Sequence, residues 1–145
     1  MIASILVVCT GNICRSPMAE GLFRQRFPKL EVASAGLDAL SGNPPAPDAV
    51  AVMRSKSIDI HTHRAVQLES WMCRTHDLVL VMEAAQKHEV ERRHPFARGK
   101  VFRLLESEAA DVVDPYLHGP VAFQTTLDVI ERGVSAWSIR LKRVT

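Results

Sequence analysis

The chain has 145 residues, 47% of them hydrophobic and 23% charged, which suits one domain with a buried core and excludes wholesale disorder. The 18 basic and 16 acidic residues leave a formal charge of +2, too even for the clustered basic footprint of a nucleic-acid binder. With 3 Cys there is no disulfide-built scaffold, and no apolar run reaches the length of a membrane span or a signal-peptide core, so a cytoplasmic protein is expected.

Residues 2–8 form a nearly continuous apolar run rich in β-branched side chains, which reads as a strand covered on both faces. Gly11 and Asn12 break the extended pattern. Ser16 is expected to cap a helix with Pro17 in its first turn; Met18, Ala19, Leu22 and Phe23 follow at helical spacing, and Pro28 ends the segment. Residues 30–34 read as a second strand, 36–47 as a loop, and 48–55 as a helix begun near Pro47. A short helix over 66–72 precedes an apolar strand over 77–82. Residues 83–94 suit a helix stopped by Pro95, 100–105 a fourth strand, and 111–118 a loop holding Asp114-Pro115. Phe123, Leu127, Ile130, Val134, Trp137 and Leu141 step by 4 and 3, the mark of a long amphipathic helix. Strands alternating with helices predict a single α/β domain over residues 1–145, with a parallel sheet and right-handed crossovers. Ligands in such sheets sit beyond the carboxyl ends of the strands, and Cys9 lies at the end of the first.

That position gives meaning to Cys9-Thr10-Gly11-Asn12-Ile13-Cys14-Arg15-Ser16-Pro17. A loop entering a helix N-terminus presents unpaired N–H groups that bind anions, and Arg15 adds a fork of donors matched to phosphate oxygens. The same field stabilises a thiolate at Cys9. The segment lacks the G-x-x-x-x-G-K-[ST] spacing of nucleotide phosphate loops. A cysteinyl phosphatase also needs a group to protonate the leaving oxygen and then activate water. Asp114, held extended by Pro115 and followed by Tyr116, is the candidate; Asp111 is its rival.

These residues resemble the low-molecular-weight protein tyrosine phosphatases over nearly the whole chain. The resemblance is carried by the loop segment and the Val7-Val8 before it, Glu31-Val32-Ala33-Ser34-Ala35-Gly36, the strand over 77–83, Asp114-Pro115-Tyr116 and the C-terminal helix. It implies a four-stranded parallel sheet flanked by helices and a phosphocysteine intermediate on Cys9. Arg15 would bind the equatorial oxygens together with the loop from Thr10 through Gly11, Asn12, Ile13 and Cys14. Ser16 would donate to the Cys9 sulfur, Asp114 would be the general acid and base, and Asn12 would hold a left-handed turn with Ser34 and His63 in support. Ile13, Leu40 and Tyr116 would line a cleft deep enough for phosphotyrosine and too deep for phosphoserine. Leu117 stands where the eukaryotic branch has a second Tyr, and the loop over 36–47 is closer to the bacterial branch. Many members of that branch act on tyrosine autokinases controlling capsule or exopolysaccharide export. The resemblance also implies a reversible Cys9–Cys14 disulfide guarding the nucleophile, the usual arrangement of a redox sensor.

Phosphotyrosine proteins and inorganic oxyanions are therefore the expected partners, with no cofactor and no membrane insertion. His61 and His63 have no second ligand cluster, and loop amides with Arg15 supply the positive field a metal would give. Cys73 is read as structural. His76, His88, His94 and His118 are read as surface or capping residues, and Arg92-Arg93-His94 as a solvated helix face. Two rival readings share the motif. One is an arsenate reductase of the same fold, against which the cysteine count argues because such enzymes pass a disulfide along further cysteines. The other is a phosphotyrosine-binding module without turnover, against which the presence of both Cys9 and Asp114 argues.

Overall fold

Six consecutive buried residues, Ser4–Cys9, form β1, and its place in the sheet explains why none is polar-facing. In the computed structural model, which describes residues 1–144, β1 pairs in parallel with β2 (Glu31–Gly36) on one side and β3 (Leu78–Val81) on the other. β4 (Val101–Arg103) adds to β3 and completes the order β2-β1-β3-β4. The helices are α1 (Arg15–Arg26), α2 (Pro47–Arg54), α3 (Ser70–Thr75), α4 (Ala84–Arg93) and α5 (Gly119–Val144), with short 3-10 turns at Pro95–Ala97 and Glu106–Glu108.

Alternate strand residues feed two cores, as the period of 2 requires. Ile5, Val7, Leu78 and Leu80 pack with Met18, Phe23, Phe123, Leu127 and Ile130 from α1 and α5. Leu6, Val8, Val79 and Val81 pack with Cys73 and Val90 from α3 and α4. Burying each large aliphatic side chain is worth roughly 1.5–3 kcal/mol. Packing on both faces, more than strand propensity, therefore holds a strand as short as β3. The stripe from Phe123 to Leu141 is buried throughout on α5, which confirms the amphipathic reading. Among the described residues no helix is long and apolar enough to cross a membrane.

Four local expectations need correction. The first helix starts at Arg15 with Cys14 at its cap; Ser16 lies inside it, its hydroxyl engaged with Cys9 and Asn12. Residues 66–68 are not helical. Gly36 N–H donates to the Val66 carbonyl at 2.9 Å and Leu68 N–H to the Gly36 carbonyl at 2.8 Å, so the segment lengthens the sheet edge at Gly36. An edge strand offers free backbone groups, and pairing there outcompetes a helical turn that begins only at Ser70. Third, β2 runs on to Gly36, while β1 begins only at Ser4 and β4 shortens to Val101–Arg103.

The fourth concerns histidine. His88 and His118 are exposed, and His76 caps α3 through a 2.7 Å contact of Nδ1 with the Met72 carbonyl. His94 is buried, its Nδ1 2.9 Å from Ser70 Oγ and its ring edge-on to Phe96. The basic run thus divides: Arg92 is solvated, Arg93 reaches the Leu37 carbonyl at 2.7 Å, and His94 is core. Burial, then the charges of Arg93 and Arg74, hold His94 below its ordinary value of 6.5. As pH falls, the unfolded chain takes up this proton first, so the contribution of neutral His94 is present above about pH 6.5 and is lost below it. Urea midpoints between pH 7.5 and 5.5 are expected to fall more for the parent protein than for His94→Gln; equal slopes would remove His94 from the acid sensitivity.

Candidate active site

The loop after β1 is built around Asn12, which is fully buried and adopts φ 61°, a left-handed conformation that Asn tolerates better than most residues. Its side chain makes three hydrogen bonds around the loop. Nδ2 donates to Ser16 Oγ at 2.8 Å and to Ser34 Oγ at 3.0 Å, and Oδ1 accepts from Val66 N–H at 2.9 Å. His63 Nε2 lies 2.8 Å from the Asn12 carbonyl and, facing an acceptor, is assigned as the protonated nitrogen. Ser34 in turn donates to Glu20 at 2.5 Å, so the support reaches α1.

Cys9 sits at the floor of the loop with Sγ 2.9 Å from Ser16 Oγ. Because Ser16 Oγ accepts from Asn12, its hydrogen is free to point at the sulfur, and a thiolate can only accept. Arg15 is 2% exposed. Its Nη1 donates to Glu83 Oε2 at 2.5 Å and to the Val112 carbonyl at 2.7 Å, while Nη2 is 3.9 Å from Asp114 Oδ2. A buried guanidinium without such partners would be prohibitively desolvated. Asp114 stands half-exposed at the mouth, its Oδ1 accepting from Tyr116 N–H at 3.1 Å in an Asx turn.

Asp111 is occupied elsewhere. Its Oδ1 accepts from Ala84 N–H at 2.9 Å and Arg103 Nη1 at 3.1 Å, so it caps α4 and lies outside the cleft. The cleft, about 200 Å³, is lined by Cys9 through Arg15 and by Asp38, Leu40, Asp114 and Tyr116. A larger groove of about 590 Å³ along α1 contains Glu20 and His63 but none of Cys9, Arg15 or Asp114, so its size does not make it the reactive centre. Reading the sequence missed Asp38, Glu83, Gln86 and Glu20. Nothing local marks them, because each meets the loop only through the fold.

Cys14 is also buried in the loop. Burial, then the nearby charges of Asp114 and Cys9, push its thiol up to about 12 despite Arg15, so it is protonated at neutral pH. Cys73 is buried too, and desolvation raises its thiol. His61 pairs with Asp59 at 2.6 Å and not with His63, and among the described residues no group of three His, Cys, Asp or Glu could hold a metal.

Gly36 lets β2 approach the loop. A Cβ there would stand 2.6 Å from the Thr10 carbonyl, and backbone cannot yield as a flexible side chain would. Gly36→Ala is expected to lower kcat/KM for an aryl phosphate by about 10-fold or more through loop displacement. Parent-like kinetics would show that the loop tolerates the shift.

The arrangement can therefore hold a tetrahedral anion over a sulfur nucleophile, with a carboxyl group at the mouth. Comparison with known proteins agrees. The family model described as low molecular weight phosphotyrosine protein phosphatase matches residues 4–145. A relative from Ralstonia nicotianae, named "Probable low molecular weight protein-tyrosine-phosphatase EpsP", is 53% identical over 98% of each chain. The tyrosine phosphatase Wzb of Escherichia coli K30, solved in complex with sulphate, is 34% identical with a TM-score of 0.93, covering 97% of this chain and 99% of its own. The YwlE arginine phosphatase of Geobacillus stearothermophilus is 32% identical with a TM-score of 0.91, covering 97% of this chain and 93% of its own. With this loop, this sheet order and these relatives, the chain belongs to the low molecular weight phosphotyrosine protein phosphatase family.

Proposed function

We propose that this chain hydrolyses phosphotyrosine on proteins through a phosphocysteine intermediate on Cys9. The observation that carries the reading is one cleft that gathers Cys9, Arg15 and Asp114 with the apolar walls Ile13, Leu40 and Tyr116. Loop amides from Thr10 to Cys14 and the Arg15 guanidinium bind the phosphoryl oxygens and stabilise the charge of the transition state. The Cys9 thiolate attacks phosphorus in line as Asp114 protonates the departing phenol oxygen. The Asp114 carboxylate then takes a proton from water as that water attacks phosphorus, and the P–S bond breaks to return thiolate and inorganic phosphate. Ser16 donates to the departing sulfur, while Asn12, Ser34 and His63 keep the loop in shape.

The apolar walls favour an aromatic ring over a guanidinium, which separates this reading from a phosphoarginine substrate. Turnover of matched peptides carrying phosphotyrosine, phosphoserine or phosphoarginine tests it. Preference for phosphotyrosine is expected, and preference for phosphoarginine would overturn the substrate. Arsenate added as a competitor with a thiol reductant tests the reductase reading, which predicts arsenite. The bacterial-branch resemblance supports a cytoplasmic site of action, with a tyrosine autokinase of polysaccharide export as the substrate.

Redox protection belongs to the same proposal. Peroxide converts the Cys9 thiolate to a sulfenic acid, and the Cys14 thiol condenses with it, forming the S–S bond and releasing water. Peroxide-treated enzyme is expected to recover with dithiothreitol, whereas Cys14→Ser recovers far less; equal recovery would exclude Cys14 as the resolving thiol.

A further inference from the structure

We propose that Gln86 is a positioning residue of the phosphate loop, fastening Thr10 directly and Arg15 through Glu83 to the first turn of α4. The proposal rests on the phosphatase reading of the loop. Gln86 is buried, and its amide is fully used. Oε1 accepts from Met82 N–H at 2.9 Å and Glu83 N–H at 3.0 Å, closing the capping box of α4. Nε2 donates to Thr10 Oγ1 at 3.1 Å and lies 3.5 Å from Glu83 Oε2, the oxygen that holds Arg15 Nη1.

A hydrogen-bonded chain therefore runs Thr10–Gln86–Glu83–Arg15. Its ends are the residue after the nucleophile and the phosphate-binding guanidinium. Both must face one tetrahedral anion at fixed separation, and both are tied to the same helical turn. That turn also registers the acid loop: Met82 carbonyl accepts from Val112 N–H at 2.8 Å and Ala84 N–H donates to Asp111. The Gln86 amide supplies the acceptors for the cap and the donor for Thr10 from one side chain, which a carboxylate or a thioether of the same length does not.

Two substitutions separate positioning from helix stability. Gln86→Glu keeps the acceptor for the cap, and a carboxylate suits a helix N-terminus. It reverses the bond to Thr10, whose hydroxyl must then donate to the carboxylate, and sets that carboxylate against Glu83. Gln86→Met removes both functions. For Gln86→Glu, calorimetric titration with inorganic phosphate is expected to show affinity weakened about 10-fold with the thermal midpoint nearly unchanged. The loss of kcat/KM should be equal for aryl phosphates with good and poor leaving groups, unlike a loss of the general acid. Gln86→Met should lose both phosphate affinity and thermal stability. Thr10→Val should add little to Gln86→Met in phosphate affinity, since both break one contact. Phosphate affinity within about twofold of the parent in Gln86→Glu, or full additivity of Gln86→Met with Thr10→Val, overturns the proposal. Phosphate binding needs no turnover, so an enzyme that bound phosphate yet spared phosphotyrosine would sink the proposed activity and leave this test readable.

Discussion

Cys9→Ser is expected to lower kcat for an aryl phosphate by at least about 10⁴-fold while inorganic phosphate still binds. The two outcomes part because two structures are involved. In the proposed mechanism the anion is held by the loop amides and Arg15, whose positions are set by Asn12, Glu83 and the Val112 carbonyl. None of these depends on sulfur. Chemistry needs a nucleophile that is already an anion, and the neighbour of the Cys9 side chain is a hydroxyl, Ser16, not a base that could activate an alcohol. Steady-state kinetics with a phosphate titration on the same preparation checks both halves. Substantial remaining turnover would move the nucleophile elsewhere; lost phosphate binding would mean that the substitution had collapsed the loop.

Asp114→Asn is expected to slow phosphotyrosine hydrolysis by about 10²–10⁴-fold, but to slow an aryl phosphate with a strongly acidic phenol far less. A leaving group that departs as a stable phenolate has little need of a proton. Asn keeps the acceptor for Tyr116 N–H, so the Asx turn survives and the loop is not displaced. Asp111→Asn supplies the contrast. Its carboxylate caps α4 and pairs with Arg103, so its loss should lower thermal stability without changing the dependence on leaving group. Reversal of the two patterns would exchange the roles of the two acids.

That contrast also marks the limit of what could be read from the chain. Asp111 and Asp114 lie three residues apart in one loop, and locally only the Pro115 and Tyr116 that follow Asp114 spoke for it. The family resemblance favoured Asp114, and its place in the cleft, with Asp111 spent on Ala84 and Arg103, separates them physically. Ser16 is a related case. Its type and position suited a helix cap, yet the fold turns its hydroxyl to Cys9 and starts the helix two residues earlier. Residues 66–68 have a helical look by composition but lie against the free edge at Gly36, where backbone pairing wins.

By itself the sequence determined the alternation of strands and helices, the two-faced burial of β1, the amphipathic stripe of α5 and the glycine-bearing loop from Cys9 to Arg15. Each rests on local chemistry: side-chain period, a glycine-bearing turn, and donors adjacent along the chain. Only the tertiary structure decided which groups hold the Arg15 guanidinium and which acid faces it. Glu83, Val112 and Asp114 stand 68, 97 and 99 positions beyond Arg15. Contacts at such separations come from the sheet order β2-β1-β3-β4, which brings the carboxyl ends of β1 and β3 side by side and seats the turn of α4 against the loop. A buried cation must be paired, but its own neighbours in the chain cannot say with what.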